Sequence, residues 1–148
     1  MSHHRLKNKI LHMSSLWLKW KKIINTGSGL VELSDIELTG PVLSDCLKLE
    51  INGYLLLDLT LHFIIIIPEP YIVKLEWEGL VSQTENEVKI KKIILHDGKL
   101  GLLNKLKKKD KILIDCAGHH TDDENRGKYR TTYTSILFNE FGEPYDFD

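Results

Sequence analysis

The chain has 148 residues, a formal net charge of −1, 42% hydrophobic and 28% charged residues, the proportions of one ordinary globular domain rather than a disordered or fibrous chain. Its most apolar run, residues 61–67 (LHFIIII), is far shorter than the ~20 residues a membrane-spanning helix needs. Cys46 and Cys116 stand far apart, which speaks against a disulfide framework or a cysteine-ligated metal and for two thiols in a reducing compartment.

Residues 1–31 carry six bases and no acid. The basic start is not followed by an unbroken apolar core and a small-residue cleavage site, so a secretory leader is not expected and a cytoplasmic location is. Within this stretch SSLWLKWKKIIN places Leu16, Trp17, Trp20, Ile23 and Ile24 at i, i+1, i+4, i+7 and i+8, the spacing of one helical face. Ser14 or Ser15 would cap the helix, and Gly27 and Gly29 would end it. Residues 1–30 therefore read as a basic helical arm. It either packs on the domain, presents Trp17 and Trp20 to a membrane surface or partner, or serves as an organellar targeting segment.

From Leu30 the pattern turns to β. Val31 to Val42 mixes aliphatic and short polar residues up to Gly40-Pro41, and residues 46–51 (CLKLEI) alternate. Asn52-Gly53 is a strong hairpin signal, because a type I′ turn takes positive φ at both central positions. Residues 54–67 read as a long strand broken by Pro68 and Pro70, residues 71–77 alternate again, and 82–87 form a polar turn. Val88 to Leu95 is the next strand. Lys99 to Lys108 reads as a short helix with Leu100, Leu103 and Leu106 on its apolar side. Ile112 to Cys116 is a buried strand, 118–128 a polar loop, and 129–138 (YRTTYTSILF) a last strand rich in strand-favouring Thr and Tyr. This order predicts a mainly β domain over residues 31–139. It would be a five- to six-stranded oligonucleotide-binding (OB) barrel, with one helix between strands 3 and 4 plugging the bottom.

Residues 140–148 (EFGEPYDFD) hold four acids and no base, which leaves 20 bases and 17 acids in the rest of the chain. Residues 89–111 alone hold nine lysines against Asp97 and Asp110. A basic body with an acidic tail is a charge pattern of proteins whose tail competes with a polyanion.

Several motifs, in this order, resemble the single-stranded DNA-binding proteins of bacterial and phage type. They are Gly40, Leu43-Ser44-Asp45, Asn52-Gly53 and Asp58-Leu59-Thr60-Leu61; then Gly98-Lys99-Leu100-Gly101, Leu106-Lys107-Lys108-Lys109-Asp110 and Ile112-Leu113-Ile114-Asp115-Cys116; and finally Tyr129 to Phe138. The resemblance covers roughly residues 33–148. Lys109-Asp110 and Cys116 replace glycines of the family pattern, and residues 64–87 do not align with it. The resemblance implies an OB-fold, binding of single-stranded DNA in replication, recombination or repair, and a homo-oligomer. It also implies that replication or recombination proteins are recruited through an aromatic acidic tail, here Tyr145 and Phe147.

Single-strand binding needs cations for phosphates and exposed rings for bases. Lys74, Lys89, Lys91, Lys92, Arg126, Lys128 and Arg130 are the candidate cations, and Trp77, Tyr71, Tyr54, Tyr129 and Tyr133 the candidate platforms. Lys105, Lys107 and Lys108 on the expected helix read as solubilising. His119-His120 with Asp122, Asp123 and Glu124 has no third ligand at a recognised spacing, so no metal is expected, and no cofactor. The chain contains no phosphate-cradling glycine loop, nucleophile elbow or metalloprotease helix, which favours a non-enzymatic binder. The rival reading is an OB-fold protein-interaction subunit of a nucleic-acid-processing complex that barely touches nucleic acid.

Overall fold

Leu16, Leu18 and Trp20 are all buried, with exposed or half-buried residues between them. That is a period of two, and the segment is strand, not helix. The structure, a computed structural model, describes residues 15–25, 28–40, 49–59, 72–96, 102–124 and 128–144, with backbone alone at 102, 116–124 and 128–131. Its strands are β1 (Ser15–Lys19), β2 (Lys22–Asn25), β3 (Leu30–Thr39), β4 (Gly53–Asp58), β5 (Ile72–Gln83), β6 (Glu87–His96), β7 (Lys111–Glu124) and β8 (Lys128–Phe138). The expected N-terminal helix is thus replaced by β1 and β2. The i, i+4, i+7 spacing of its large apolar residues fits a helix, but Leu18 lies off that face and belongs with Leu16 in the core.

β1 pairs with β7 on one side and with β3 on the other, closing a seven-stranded barrel in the order β1-β7-β8-β4-β5-β6-β3. β2 continues along β3 after a bend at Trp20-Lys21. All neighbours are antiparallel except β4 and β8, which run parallel. The fold is therefore mainly β as expected, with more strands than five or six. Among the described residues there is no α-helix. The late helix expected at Lys99–Lys108 is reduced to a 3-10 turn at Leu102–Lys105, with 99–101 outside the described residues. Leu103 and Leu106 from this segment join the barrel core, so it plugs the barrel as a short turn. No described helix is long and apolar enough to cross a membrane.

Three other boundaries differ. β7 runs to Glu124, so the expected loop at 118–128 is largely the arm of a long β7–β8 hairpin. Ser82 and Gln83 belong to β5, and the turn shrinks to 84–86. Leu49 to Asn52 form no strand. Instead the Gln83 side-chain amide stands in for one: its Nε2 donates to Leu49 O (3.3 Å) and its Oε1 accepts from Leu49 N–H (3.1 Å).

Gly53 is not a hairpin turn residue. The positive-φ glycines among the described residues are Gly29, Gly79 and Gly142, whereas Gly53 opens β4 directly opposite Trp77. A Cβ there would sit 2.6 Å from Trp77 Cζ2, so the glycine is needed to let the indole lie over the strand. Gly53→Ala is expected to lower stability by about 1–3 kcal/mol through overpacking, read as a fall in the midpoint of urea denaturation. An unchanged midpoint would show that the indole moves aside freely.

β3, β5 and β6 share a crease. Their inward residues run Val31, Leu33, then Ile36, Leu38; Val73, Leu75, Trp77, then Leu80; and Val88, Ile90, then Ile93, Leu95. Each strand spends two residues outside the core at the same level, and Asp35, Gly79 and Lys91 are skipped in the pairing register. Asp35 (φ 54°) and Gly79 (φ 76°) adopt left-handed backbone there. A Cβ on Gly79 would meet Lys91 Cβ at 2.9 Å. Such irregularities sharpen local bend and twist, which closing a barrel requires.

A candidate polyanion groove at one end of the barrel

Where β1 ends, Trp20 turns inward and becomes 5% exposed. Its indole N–H donates to Lys107 O (3.1 Å), and Asn25 Nδ2 donates to Asn104 O (3.2 Å). The bent β1–β2 edge is thereby tied to the 3-10 turn and to the segment after it. Residues 107–110 form a tight turn locked twice: Asp110 carboxylate accepts from Lys107 N–H (2.6 Å), and Asp110 N–H donates to Lys107 O (3.2 Å). Asp110 itself is buried. The side chains of Lys107, Lys108 and Lys109 point outward from a fixed backbone.

A groove of about 780 Å³ runs between this turn and the segment after β8, lined by Asn104 to Asp110 and by Asn139, Glu140 and Phe141. A neighbouring hollow of about 360 Å³ shares Lys108, Lys109, Asp110 and Glu140 and adds Lys19, Trp20, Lys21 and Lys111. The two walls together hold seven lysines against Asp110 and Glu140, of which Glu140 lies 4.0 Å from Lys109. This excess of lysines over acids around the two adjoining hollows favours an anionic occupant. Beside it, Lys111 Nζ sits 4.4 Å above the Trp17 ring, which packs edge-on against Phe138 at 5.3 Å.

The nucleic-acid candidates from the sequence whose side chains are described fall elsewhere. Trp77 is no stacking platform: it is 8% exposed, belongs to the core, and donates its indole N–H to Glu50 O (2.9 Å). Tyr133 packs against the same core. Lys89, Lys91 and Lys92 lie on the outer face of β6, but acids answer two of them. Glu37 is opposite Lys89, and Glu32 (2.6 Å) and Glu78 (3.6 Å) flank Lys92. The Glu32 hydrogen bond and charge hold the Lys92 amine above its ordinary pKa. On the same face His96 Nε2 lies 2.5 Å from Glu76 Oε1. Tyr54 is 58% exposed on β4 with Lys74 Nζ 4.9 Å over its ring, the one ring–cation pair of the predicted set that stands together among the described residues.

Trp20 is fixed inside the chain rather than offered to a partner, and Trp17 is half-buried. Lys128, Tyr129 and Arg130 open β8, where only the backbone is described. Tyr71, Arg126, Tyr145 and Phe147 lie outside the described residues. His119 and His120 sit on β7 opposite Tyr133 and Thr132, with side chains outside the description. Among the described residues no group of three His, Cys, Asp or Glu is placed to hold a metal.

The groove was missed because its walls come from three distant stretches, around Lys19, Lys107 and Glu140. The lysine run 105–111 is the available signal, of which the helical reading assigns Lys105, Lys107 and Lys108 to a solvated face. Comparisons of the chain with protein-family models, curated proteins and solved structures each return no match.

Proposed function

We propose that this protein is a non-enzymatic binder of single-stranded nucleic acid, DNA favoured, that serves replication, recombination or repair. The observation that carries the reading is the set of seven lysines around the groove and its neighbouring hollow at one end of the barrel. Supporting it are a closed β-barrel plugged by the segment before its last hairpin and the motif order that resembles single-stranded DNA-binding proteins. We read the barrel as an OB-like fold enlarged by extra strands. The phosphates lie against the lysines from the ends of β1 and β7 and the turn between them, and the outer β6 lysines are secondary. On this reading the chain acts as a homo-oligomer, and the acidic tail recruits protein partners.

The test is a titration of the full chain with a labelled thymidine oligomer across a salt series. Each phosphate neutralised on a single strand contributes a slope of about −0.7 to log affinity against log salt. Four or five contacts therefore predict a slope near −3. Absence of binding at low salt, with an acidic protein partner captured instead, would favour the interaction-subunit reading. The exposed Ile51 and Tyr54 near the start of β4 are the observation on that side.

A further inference from the structure

Phe141 is 77% exposed and lines the same groove as Lys107, Lys108 and Lys109. Its backbone is held as firmly as theirs. Asn139 Oδ1 accepts from the N–H groups of Phe141 (2.9 Å) and Glu143 (3.1 Å). Asn139 N–H donates to Glu143 O (2.8 Å), and Gly142, at φ 78°, donates to Asn139 O (3.1 Å). A bridge between Phe138 and Pro144 closes the turn at its base. The sequence places a large apolar ring at the tip of this braced turn, where water surrounds it and burial in the chain's own core is out of reach. A loose loop could fold such a ring away; this one holds it out across from a braced turn of lysines.

We propose that Phe141 is a stacking platform for an unpaired base, so that the groove selects single-stranded nucleic acid over duplex and over base-free polyanions. This rests on the reading of the groove as a nucleic-acid site and adds what distinguishes its ligands. The division of labour follows from chemistry. The ammonium groups meet phosphate oxygens, which any polyanion supplies. The ring meets the flat face of a base, which a duplex keeps inside its own stack and a polyphosphate lacks. Phe141 has no donor or acceptor on its side chain, so stacking there is indifferent to base identity.

The experiment measures affinities of the full chain for a labelled thymidine oligomer, an abasic deoxyribose-phosphate oligomer of the same length and a duplex, with wild type, Phe141→Ala, Phe141→Leu and Phe141→Trp. Wild type is expected to favour the thymidine oligomer over the other two. Phe141→Ala and Phe141→Leu lose about 5- to 150-fold on the thymidine oligomer, the equivalent of one stacked base. They keep the affinity for the abasic oligomer. Phe141→Trp retains binding, and its fluorescence is quenched by the thymidine oligomer alone. The ring is exposed and its turn is held by backbone and Asn139, so all variants keep the wild-type melting temperature. If Phe141→Ala binds the thymidine oligomer as wild type does, the stacking role is overturned and the groove reading survives. If wild type binds the thymidine and abasic oligomers equally, base selection is overturned in the same way. If wild type binds neither, or prefers a polyglutamate peptide, both readings fall.

Discussion

Trp77→Ala destabilises the protein by about 3–5 kcal/mol, the cost of emptying a large aromatic site in a core. Domains of this size hold about 5–15 kcal/mol in total, and the loss corresponds to a melting temperature lower by roughly 10–15 °C. Two separate contributions are removed. The indole fills the space over Gly53, where even one added carbon would lie 2.6 Å from the ring. Its N–H also satisfies Glu50 O, anchoring residues that form no strand of their own. Trp77→Phe isolates the second contribution: most of the packing stays, and the unpaired carbonyl costs about 1–2 kcal/mol. Calorimetry of the three proteins checks both figures. A Trp77→Ala variant that melts like wild type but binds oligonucleotide poorly would restore the residue to the surface role its sequence first suggested.

Lys107→Glu combined with Lys108→Glu has the opposite profile. Both side chains are exposed on a turn fixed by Asp110 and Trp20, so stability changes by no more than about 0.5 kcal/mol. Affinity for a thymidine oligomer falls on the order of 100-fold at low salt. The salt slope shrinks by about 1.4, because two phosphate contacts are lost and each is replaced by repulsion. The matching pair on β6, Lys89→Glu with Lys91→Glu, is the control, since Glu37 already faces Lys89; its affinity changes by less than about tenfold. Equal losses from the two pairs would move the nucleic-acid surface back to the sheet face.

Much of the barrel was legible because β5 and β6 announce themselves by alternation, β3 by its mixture of aliphatic and short polar residues and β8 by its Thr and Tyr. Even Trp77 carried its own correction: it shares parity with Val73 and Leu75, both buried, so the pattern that identified the strand also marked the indole as inward. β1 and β2 were not legible because apolar residues at 16, 17, 20, 23 and 24 satisfy a helical period, and only pairing with β3 and β7 settles the choice. The late segment failed differently. Leu103 and Leu106 were correctly apolar and inward, but three residues of spacing fit a 3-10 turn as well as an α-helix. Reading it as a helix spreads its lysines around an axis, whereas Lys107, Lys108 and Lys109 sit together on one tight turn that lines the groove. Pairwise neutralisation on the sheet face was invisible in the same sense: Glu32, Glu78 and Lys92 are brought together only by the register.

The crease across β3, β5 and β6 makes chain length at that level a shared property of three strands. Asp35, Gly79 and Lys91 form a row, and each strand resumes its inward alternation only because its neighbours pause at the same place. Removing one member leaves that strand a residue short against partners that keep theirs. Removing all three would return matched, regular strands. Insertions and deletions here are therefore strongly non-additive: the lone change is costly and the triple change much less so than its parts. The curvature that the row supplies would then have to be found at the β1–β3 closure.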